Sequence, residues 1–247
     1  MNQILTAVLL GIMFAWKNNI KHLSSGGIQQ QMAQDKLFVE NALIDHEVAV
    51  PKSIQQLSEI SQGLYISKPR KGGCHRGIEI TDAQTAFEKF ESNCSEGKLT
   101  QPYLIGREFS VAIIPNETGT GFETLPPLEV IPYPKRTIYL AGQSHGKTRK
   151  NYHPILTTTE KNNIIDGCLT AHRALGLTFF SRIDVRLVGD TAFILDVNTM
   201  PNMHPTKSML PGLLKTHKIG MREFMRRLIS MGQRIYSTDK SREFADY

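Results

Sequence analysis

Cysteine is scarce in this sequence, and its pattern excludes two classes of protein. The three cysteines, Cys74, Cys94 and Cys168, are an odd number for a disulfide framework and lack the short spacing of a metal site. Disulfide-rich domains belong to oxidising compartments. We therefore expect a protein of a reducing compartment and place it in the cytoplasm.

Long hydrophobic runs are also lacking. The apolar stretch at the start of the chain, Ile4–Trp16, covers about thirteen residues, whereas a membrane-spanning helix needs about 20. The stretch has no basic n-region and no small-residue cleavage site, so it does not match a signal peptide. We predict a helix that is buried against the rest of a domain, and no membrane partner.

The charge is modest and is not concentrated in one patch. The 247 residues carry a net charge of +6, with 40% apolar and 21% charged residues, as in ordinary globular proteins. A chain of this length can form one large domain or two small lobes. A charge of +6 suits a phosphate-bearing ligand or a nucleic acid equally. Net charge is the sole feature of the sequence that supports nucleic-acid binding, so we expect no nucleic-acid partner.

Helical and strand patterns alternate along the chain. Apolar residues at helical spacing and helix-end signals predict helices over residues 28–45, 82–93, 157–176 and 221–235. Short β-like runs predict strands over residues 63–68, 78–80 and 103–115. Thr157 and Glu160 match a capping box at the start of the third helix. The proline-rich segment 126–154 predicts a long loop of the kind that often closes over substrates.

A predicted hairpin between Arg182 and Asn198 brings acidic residues together. Charged and aliphatic residues alternate from Arg182 to Leu187, so period two places Arg182 and Asp184 on one face of a strand. On the returning strand Asp196 and Asn198 share a face. With a three-residue loop at the turn, Asp184 lies opposite Asp196 on the same side of the sheet.

The facing carboxylates of this hairpin require neutralisation, because like charges opposite one another destabilise a sheet. A hard divalent cation such as Mg²⁺, which is bound through one or two carboxylates and substrate phosphates, would serve. From the pattern alone, a solvated face with an ordinary Arg182–Asp184 ion pair is an equally good interpretation.

Residues 198–211, which follow the hairpin, are rich in turn residues and predict a long loop. Together with the hairpin, this segment resembles a known family. The D-alanine–D-alanine ligase family, within the ATP-grasp superfamily, reads approximately R-V-D-F, E-x-N-T-x-P-G-M-T and S-L-x-P in this region. The corresponding residues here are Arg182-Ile183-Asp184-Val185, Asp196-Val197-Asn198-Thr199-Met200-Pro201-Asn202-Met203 and Ser208-Met209-Leu210-Pro211.

This resemblance implies roles for individual residues. Asp184, Asp196 and Asn198 would hold the magnesium ions, with Mn²⁺ as an alternative metal. Arg182 would stabilise the charge of the acyl-phosphate and of the tetrahedral intermediate. The family's residue counterparts also imply an oxyanion site at the backbone N–H of Asn202 and a contact between Ser208 and the carboxylate of the accepting amino acid.

The chain departs from the family in this region. Asp196 stands where the family mostly has Glu, and Asn202 stands where it has Gly. One residue is inserted between Asn202 and Ser208. The change in this loop puts the acceptor specificity in question.

Upstream segments resemble the ATP-binding segments of the same family in the same order. Lys36 and Lys68 would contact ATP phosphates, and Lys68 precedes a glycine-rich loop in which Cys74 and His75 replace the family's two serines. Further residues implied in the ATP site are Gln101 at the adenine amino group, Leu104, and Glu108 at the ribose hydroxyls. Lys147 corresponds to a lysine of the family's flexible loop.

The resemblance implies an α+β fold of the ATP-grasp type, with two α+β subdomains whose mainly antiparallel sheets clasp ATP. We divide the chain into a remnant of an N-terminal lobe (1–34), a small subdomain with the glycine-rich loop (35–100), a large subdomain with the metal site (101–236) and a polar tail (237–247). With most of the N-terminal lobe missing, we expect either a homodimer or a separate N-terminal lobe as partner.

The implied activity is formation of a peptide bond through an acyl-phosphate, with ATP and Mg²⁺ as cofactors and amino acids as substrates. D-alanine, for peptidoglycan precursor synthesis, is the first substrate expected. One alternative is an ATP-grasp ligase for other amino acids in natural-product or dipeptide synthesis. Another is a non-catalytic nucleotide-binding remnant or subunit.

Overall fold

The computed structural model describes Ala15, Asn18 and residues 20–72, 77–132, 148–206 and 208–237. Its helices are α1 (Gly27–Ala33), α2 (Lys36–Asp45), α3 (Ala83–Ser95), α4 (Thr158–Ala174), α5 (Met209–Thr216) and α6 (Met221–Ser237), with a 3₁₀ turn at Leu57–Glu59. Its strands are β1 (Leu64–Pro69), β2 (Glu79–Asp82), β3 (Lys98–Pro102), β4 (Arg107–Pro115), β5 (Phe122–Thr124), β6 (Leu128–Pro132), β7 (Thr148–Asn151), β8 (Ser181–Val188) and β9 (Thr191–Asn198).

Several predictions made from the sequence lie outside the described residues. They are the helix over Ile4–Trp16, except for Ala15, the glycine-loop residues Cys74 and His75, the lysine Lys147 and the polar tail from residue 238. Among the described helices, none is both long enough and apolar enough to cross a membrane.

The smaller sheet has three antiparallel strands in the order β2-β1-β3. Helix α3 packs across it, and Asn93 of this helix donates a hydrogen bond to Ser67 Oγ of β1 at 2.9 Å. Because side chains alternate along a strand, Lys68 points away from α3. Gln101 of β3 lies on the same face as Lys68, since its partner in β1 is Ile66.

The larger sheet has the order β7-β6-β4-β8-β9, with β5 paired to β4. Its central strand β4 is buried on both faces. Phe109, Val111 and Ile113 belong to one apolar core, and Ala112 and Ile114 belong to a second core on the other face. The two cores explain why this strand reads as a nearly continuous apolar run.

Helices cover both faces of the larger sheet. Helix α4 and the segment from α2 to Val50 contribute to the core around Phe109. Helices α5 and α6 contribute to the core around Ile114. The capping box predicted for α4 is present, because Thr157 Oγ1 accepts from Glu160 N and the Glu160 carboxylate accepts from Thr157 N.

The helix predicted over residues 28–45 is wrong in one respect, since the structure has two helices separated at Asp35. The Asp35 side chain accepts hydrogen bonds from the backbone N–H groups of Leu37 and Phe38 and so caps the second helix. The same carboxylate pairs with Arg70 Nε at 2.7 Å. These contacts start a new helix at this point, whereas the apolar pattern alone predicts one continuous helix.

The predictions for segments 103–115, 126–154 and 198–211 also need correction. Residues 103–106 are not in a strand, and the preceding strand β3 was not predicted. Strands β6 and β7 lie within the segment expected to be a loop, and α5 begins inside the loop expected after Asn198. The short strands depend on pairing with distant strands, so local periodicity gives little signal for them.

Candidate functional site

The hairpin β8–β9 brings Asp184 and Asp196 opposite each other, as the alternation predicts, but by a different route. Its turn has two residues, because Val188 pairs with Thr191, and not the three expected. A two-residue turn in regular register would place Leu195 opposite Asp184. A β-bulge between Asp184 and Val185 shifts the register, so that Asp196 is the partner.

The bulge also places two consecutive residues on the outer face of the hairpin. Ala192 and Ile194 are buried before the bulge, and Val197 is buried after it. Leu195 and Asp196, between them, are both partly exposed and both line a cleft. An apolar and an acidic side chain therefore lie next to each other at this position.

Asp184 accepts more hydrogen bonds than Asp196, the other carboxylate that faces it in the hairpin. Arg182 donates to it from Nε at 3.0 Å and from Nη2 at 2.8 Å. Ser110 Oγ of β4 donates at 2.7 Å, and Asn198 Nδ2 lies 3.4 Å from the second oxygen. The ion pair considered as the alternative interpretation is thus present, and it partly neutralises the facing carboxylates Asp184 and Asp196.

The cleft lies between the two sheets and is open to solvent. It is lined by residues of α1, α2, β1, β3 and β9 and by the segment before β1. Four of the predicted site residues line it, namely Lys36, Lys68, Gln101 and Asp196. A hydrogen bond from Ile194 N to Ala49 O, 2.9 Å long, joins β9 to the wall formed by residues 48–51. The structure therefore gathers residues that are far apart in the sequence.

The two lysines of the cleft have different surroundings. Lys36 Nζ donates to the carbonyl oxygen of Gly72 at 2.7 Å. Lys68 is buried, and this burial lowers the pKa of its ammonium to about 8. The negative charges of Asp196 and Glu40 oppose this decrease, and the positive charge of Lys36 adds to it. Lys68 is therefore mostly charged at neutral pH, close to the carboxylate of Asp196 on β9. A cleft with two lysines at one wall suits a polyphosphate.

Glu108 has a partner that the sequence did not identify. Arg186, its cross-strand neighbour on β8, donates from Nη2 to Glu108 Oε2 at 2.8 Å. Burial raises the pKa of the Glu108 carboxyl to about 7, while the positive charge of Arg186 opposes this rise. Arg186 was visible only as a member of the charged strand face, and its role depends on β4, which lies far away in sequence.

Three predicted site residues, Leu104, Asn202 and Ser208, lie outside the lining of the cleft. Leu104 is half-buried in the connection between β3 and β4. Asn202 is exposed in the loop after β9, and its Oδ1 accepts from His204 N at 2.8 Å. Ser208 is the N-cap residue of α5, and its side chain makes no capping hydrogen bond.

The donor set fits a hard cation shared with a substrate. In the part of the chain that the structure describes, no group of three or more His, Cys, Asp or Glu side chains is placed to hold a metal by itself. Asp184, Asp196 and the Asn198 amide offer two carboxylates and one neutral oxygen. Such a set is typical of a divalent cation that takes its other ligands from water and phosphate oxygens.

Two antiparallel sheets that enclose a cleft are the arrangement of an ATP-grasp protein, and solved structures share this fold. The chain superposes on D-alanine–D-alanine ligase from Bacillus anthracis with a TM-score of 0.72 and 17% identity, over 91% of this chain and 75% of that one. It superposes on the VanG D-Ala:D-Ser ligase from Enterococcus faecalis with a TM-score of 0.72 and 16% identity, over 85% and 64% of the two chains.

The sequence places the chain within one family of this fold. It belongs to the D-alanine–D-alanine ligase family, because the family model described as "D-ala D-ala ligase C-terminus" matches residues 42–230. A curated D-alanine–D-alanine ligase of Thermotoga petrophila is 29% identical over 213 residues, which are 83% of this chain and 69% of that protein. One of Leptospira interrogans is 30% identical over 176 residues, which are 67% and 48% of the two chains.

Proposed function

We propose that this protein is a Mg²⁺-dependent and ATP-dependent carboxylate–amine ligase that joins two D-alanine molecules for peptidoglycan precursor synthesis. The observation that carries the proposal is the pairing of Asp184 with Asp196 beside a cleft that contains Lys36 and Lys68. Family membership supports the same reaction class.

The cleft residues account for nucleotide binding. Lys36 and Lys68 are placed to bind phosphate oxygens, and the lysine charge offsets part of the polyphosphate charge. The ionised Glu108 carboxylate accepts hydrogen bonds from the ribose hydroxyls, and Gln101 contacts the base. Leu195 supplies apolar surface on the same wall as Asp196.

Asp184, Asp196 and Asn198 are the residues that would hold the divalent cation. When bound, the cation offsets the negative charge that develops on the phosphates during phosphoryl transfer. Asn198 lies on the hairpin with both carboxylates, and Ser110 holds Asp184 in place through its hydroxyl. These contacts orient the ligands before the substrate enters.

The acceptor side of the site is formed by Arg182 and by the segment after β9. Arg182 reaches Asp184 with two donors, and its remaining N–H groups are available to the phosphate and the carbonyl oxygen of an acyl-phosphate. The backbone N–H of Asn202 is proposed to stabilise the oxyanion. The uncapped N-terminus of α5, with the Ser208 hydroxyl, is suited to the carboxylate of the accepting amino acid.

The reaction then has two steps. A carboxylate oxygen of the first amino acid attacks the γ-phosphorus of ATP, and ADP leaves. The neutral amine of the second amino acid attacks the carbonyl carbon of the acyl-phosphate, phosphate leaves with the bonding electron pair, and the nitrogen loses a proton. The products are a dipeptide, ADP and phosphate.

The proposal is tested by incubating the full chain with ATP, Mg²⁺ and D-alanine and measuring ADP, phosphate and dipeptide. Asp184→Asn should lower kcat at least about 100-fold, the scale expected for loss of one electrostatic stabiliser of the transition state. Asp166→Asn, at an exposed position on α4, is the matched control and should leave kcat unchanged. Equal activity of Asp184→Asn and wild type would contradict the assignment.

A second candidate function, the ligation of amino acids other than D-alanine, is supported by the loop after β9. Asn202 stands where the family has Gly, and its side chain is exposed and bonded within the loop. An amino-acid panel in the same assay distinguishes the two functions: dipeptide from other amino acids but none from D-alanine alone would favour a ligase of different specificity. Nucleotide binding without turnover on any amino acid would favour a non-catalytic subunit.

The division of the chain at residues 34, 100 and 236 stays a prediction. The homodimer and the separate N-terminal lobe also stay predictions.

A further inference from the structure

Glu40 is a buried carboxylate at the wall of the cleft, and it contacts the residue proposed to bind the base. It lies on α2 and is 6% exposed. Ser53 donates to its two oxygens, from the backbone N–H and from the hydroxyl, each at 2.6 Å. Gln101 Nε2 donates to Glu40 Oε2 at 3.0 Å. Glu40 was not identified from the sequence.

The contacts of Gln101 leave one orientation for its amide. Nε2 donates to the carbonyl oxygen of Pro51 at 2.7 Å and contacts Ser53 Oγ at 3.2 Å, in addition to Glu40. An ionised carboxylate and a backbone carbonyl can only accept hydrogen bonds. A rotated amide would therefore set its oxygen against two acceptors and lose both bonds.

The amide oxygen of Gln101 is left without a partner as a result. Gln101 is 3% exposed and lines the cleft, and its Oε1 is buried and makes no hydrogen bond. A buried acceptor without a partner is destabilising, so it favours a ligand that brings a donor.

We propose that Glu40 is a positioning residue that fixes the Gln101 amide, so that the cleft presents a hydrogen-bond acceptor and selects a purine with a 6-amino group over a purine with a 6-oxo group. The inference rests on the proposed function, because it requires the nucleotide to occupy this cleft. The 6-amino group of adenine donates to Gln101 Oε1. The 6-oxo group of hypoxanthine places a second acceptor against Oε1 and leaves both oxygens unpaired.

Nucleotide binding tests this inference without requiring turnover. The binding of ADP and of inosine diphosphate to the full chain, each with Mg²⁺, is measured by isothermal titration calorimetry. Wild type should bind ADP at least about tenfold more tightly, the scale of one buried hydrogen bond. Equal affinity for the two nucleotides would overturn the inference.

Glu40→Gln tests the positioning role, because the new side chain keeps the shape and an oxygen for Ser53 but can offer Gln101 a donor instead of an acceptor. We expect the ratio of the two affinities to fall by about tenfold or to one, since one charge-assisted hydrogen bond no longer holds the amide. Glu91→Gln, exposed on α3, is the matched control and should keep the wild-type ratio. A Glu40→Gln protein that binds both nucleotides more weakly but with the wild-type ratio would show a purely structural role and would overturn the inference.

Gln101→Leu provides a second test if Glu40→Gln does not fold. It removes the acceptor and should bring the affinities for ADP and inosine diphosphate close together, whereas a preserved preference for ADP would overturn the inference. If wild type binds neither nucleotide, both the inference and the proposed function fail. If it binds both equally, only the inference fails.

Discussion

At the scale of single residues, Lys68 and Glu108 are the charged groups whose pKa values burial moves toward neutrality. Burial lowers the pKa of Lys68 to about 8 and raises that of Glu108 to about 7. In both cases burial disfavours the charged form, and an oppositely charged neighbour partly restores it. Asp196 does this for Lys68, and Arg186 does it for Glu108.

These two pKa values predict a maximum in nucleotide affinity between about pH 7 and about pH 8. Glu108 must be ionised to accept from the ribose hydroxyls, so affinity should rise as pH passes upward through the pKa of Glu108. Lys68 must be protonated to bind phosphate, so affinity should fall as pH rises past the pKa of Lys68. Titration of the protein with ADP at a series of pH values measures this profile.

Two variants assign the two sides of this profile. The phosphates of ADP also ionise as pH rises, and this contributes to the increase in affinity in every variant. Glu108→Gln removes the carboxyl, so it should lose the rest of the increase and keep only the part that comes from ADP. Lys68→Arg keeps a charge that does not titrate in this range, so it should lose the decline at high pH. A wild-type profile in either variant would show that the corresponding group does not control binding.

At the scale of secondary-structure elements, the bulge in β9 decides which residues reach the cleft. Regular pairing from the two-residue turn would have turned Asp196 toward the core, because a shift of one residue exchanges the faces of a strand. Leu195 is the additional residue that prevents this. The same residue adds apolar surface to the cleft next to the carboxylate.

Deletion of Leu195 should therefore weaken nucleotide binding without disrupting the hairpin. Asp196 would follow Ile194 directly and would take the place opposite Asp184 in regular register. We expect affinity for ADP to fall by about tenfold, the scale for loss of a partly buried leucine contact, with thermal unfolding close to that of wild type. Calorimetric titration and circular dichroism measure the two properties.

Leu195→Ala is the comparison, because it removes the side chain and keeps the bulge. A similar loss in both variants would assign the effect to the side chain, and a larger loss in the deletion would assign it to the local twist that a bulge adds. Wild-type affinity in the deletion variant would contradict a role for Leu195.

At the scale of the whole molecule, the cleft exists because a segment attached to the smaller sheet docks on the larger one. Val39 and Leu43 of α2 and Val48 and Val50 after it belong to the core of the larger sheet. Lys68 and Gln101 lie on the smaller sheet, and Asp196 lies on the larger one. A bound nucleotide with its cation would therefore contact both sheets at once.

ADP with Mg²⁺ should accordingly raise the temperature of unfolding. At 100 times Kd, a ligand that binds only the native state adds about 2.7 kcal/mol, which corresponds to several degrees for a chain of this size. Differential scanning fluorimetry measures the shift with ADP alone, with Mg²⁺ alone and with both. The shift with both should exceed the sum of the other two.

Asp196→Asn tests whether this coupling passes through the hairpin. The variant should retain the shift caused by ADP alone and lose the additional shift caused by Mg²⁺. Asp166→Asn should behave as wild type. An undiminished Mg²⁺-dependent shift in Asp196→Asn would place the cation elsewhere.

The sequence by itself determined the features that depend on local patterns. Apolar periodicity and the capping box located α4, and the alternation of charged and aliphatic residues located β8 and β9 with their facing carboxylates. Residues with short-range signals can be read in this way, because helix caps and strand faces are set by residues within a few positions of one another. The segments that resemble the motifs of the ligase family, and their order along the chain, also indicated the family and the fold.

Tertiary structure alone decided the features that depend on distant partners. Strand β3 is formed by pairing with β1, the charge of Glu108 depends on Arg186, and the Gln101 amide is oriented by Glu40, which is 61 residues away in the sequence. The turn is one residue shorter than predicted, and the bulge adds one residue to β9, so the two differences cancel. The pairing of Asp184 with Asp196 was therefore predicted correctly although the turn length was not. Folding brings such residues together to fill a common core, and hydrogen-bond geometry across that core cannot be read from neighbouring positions in the chain.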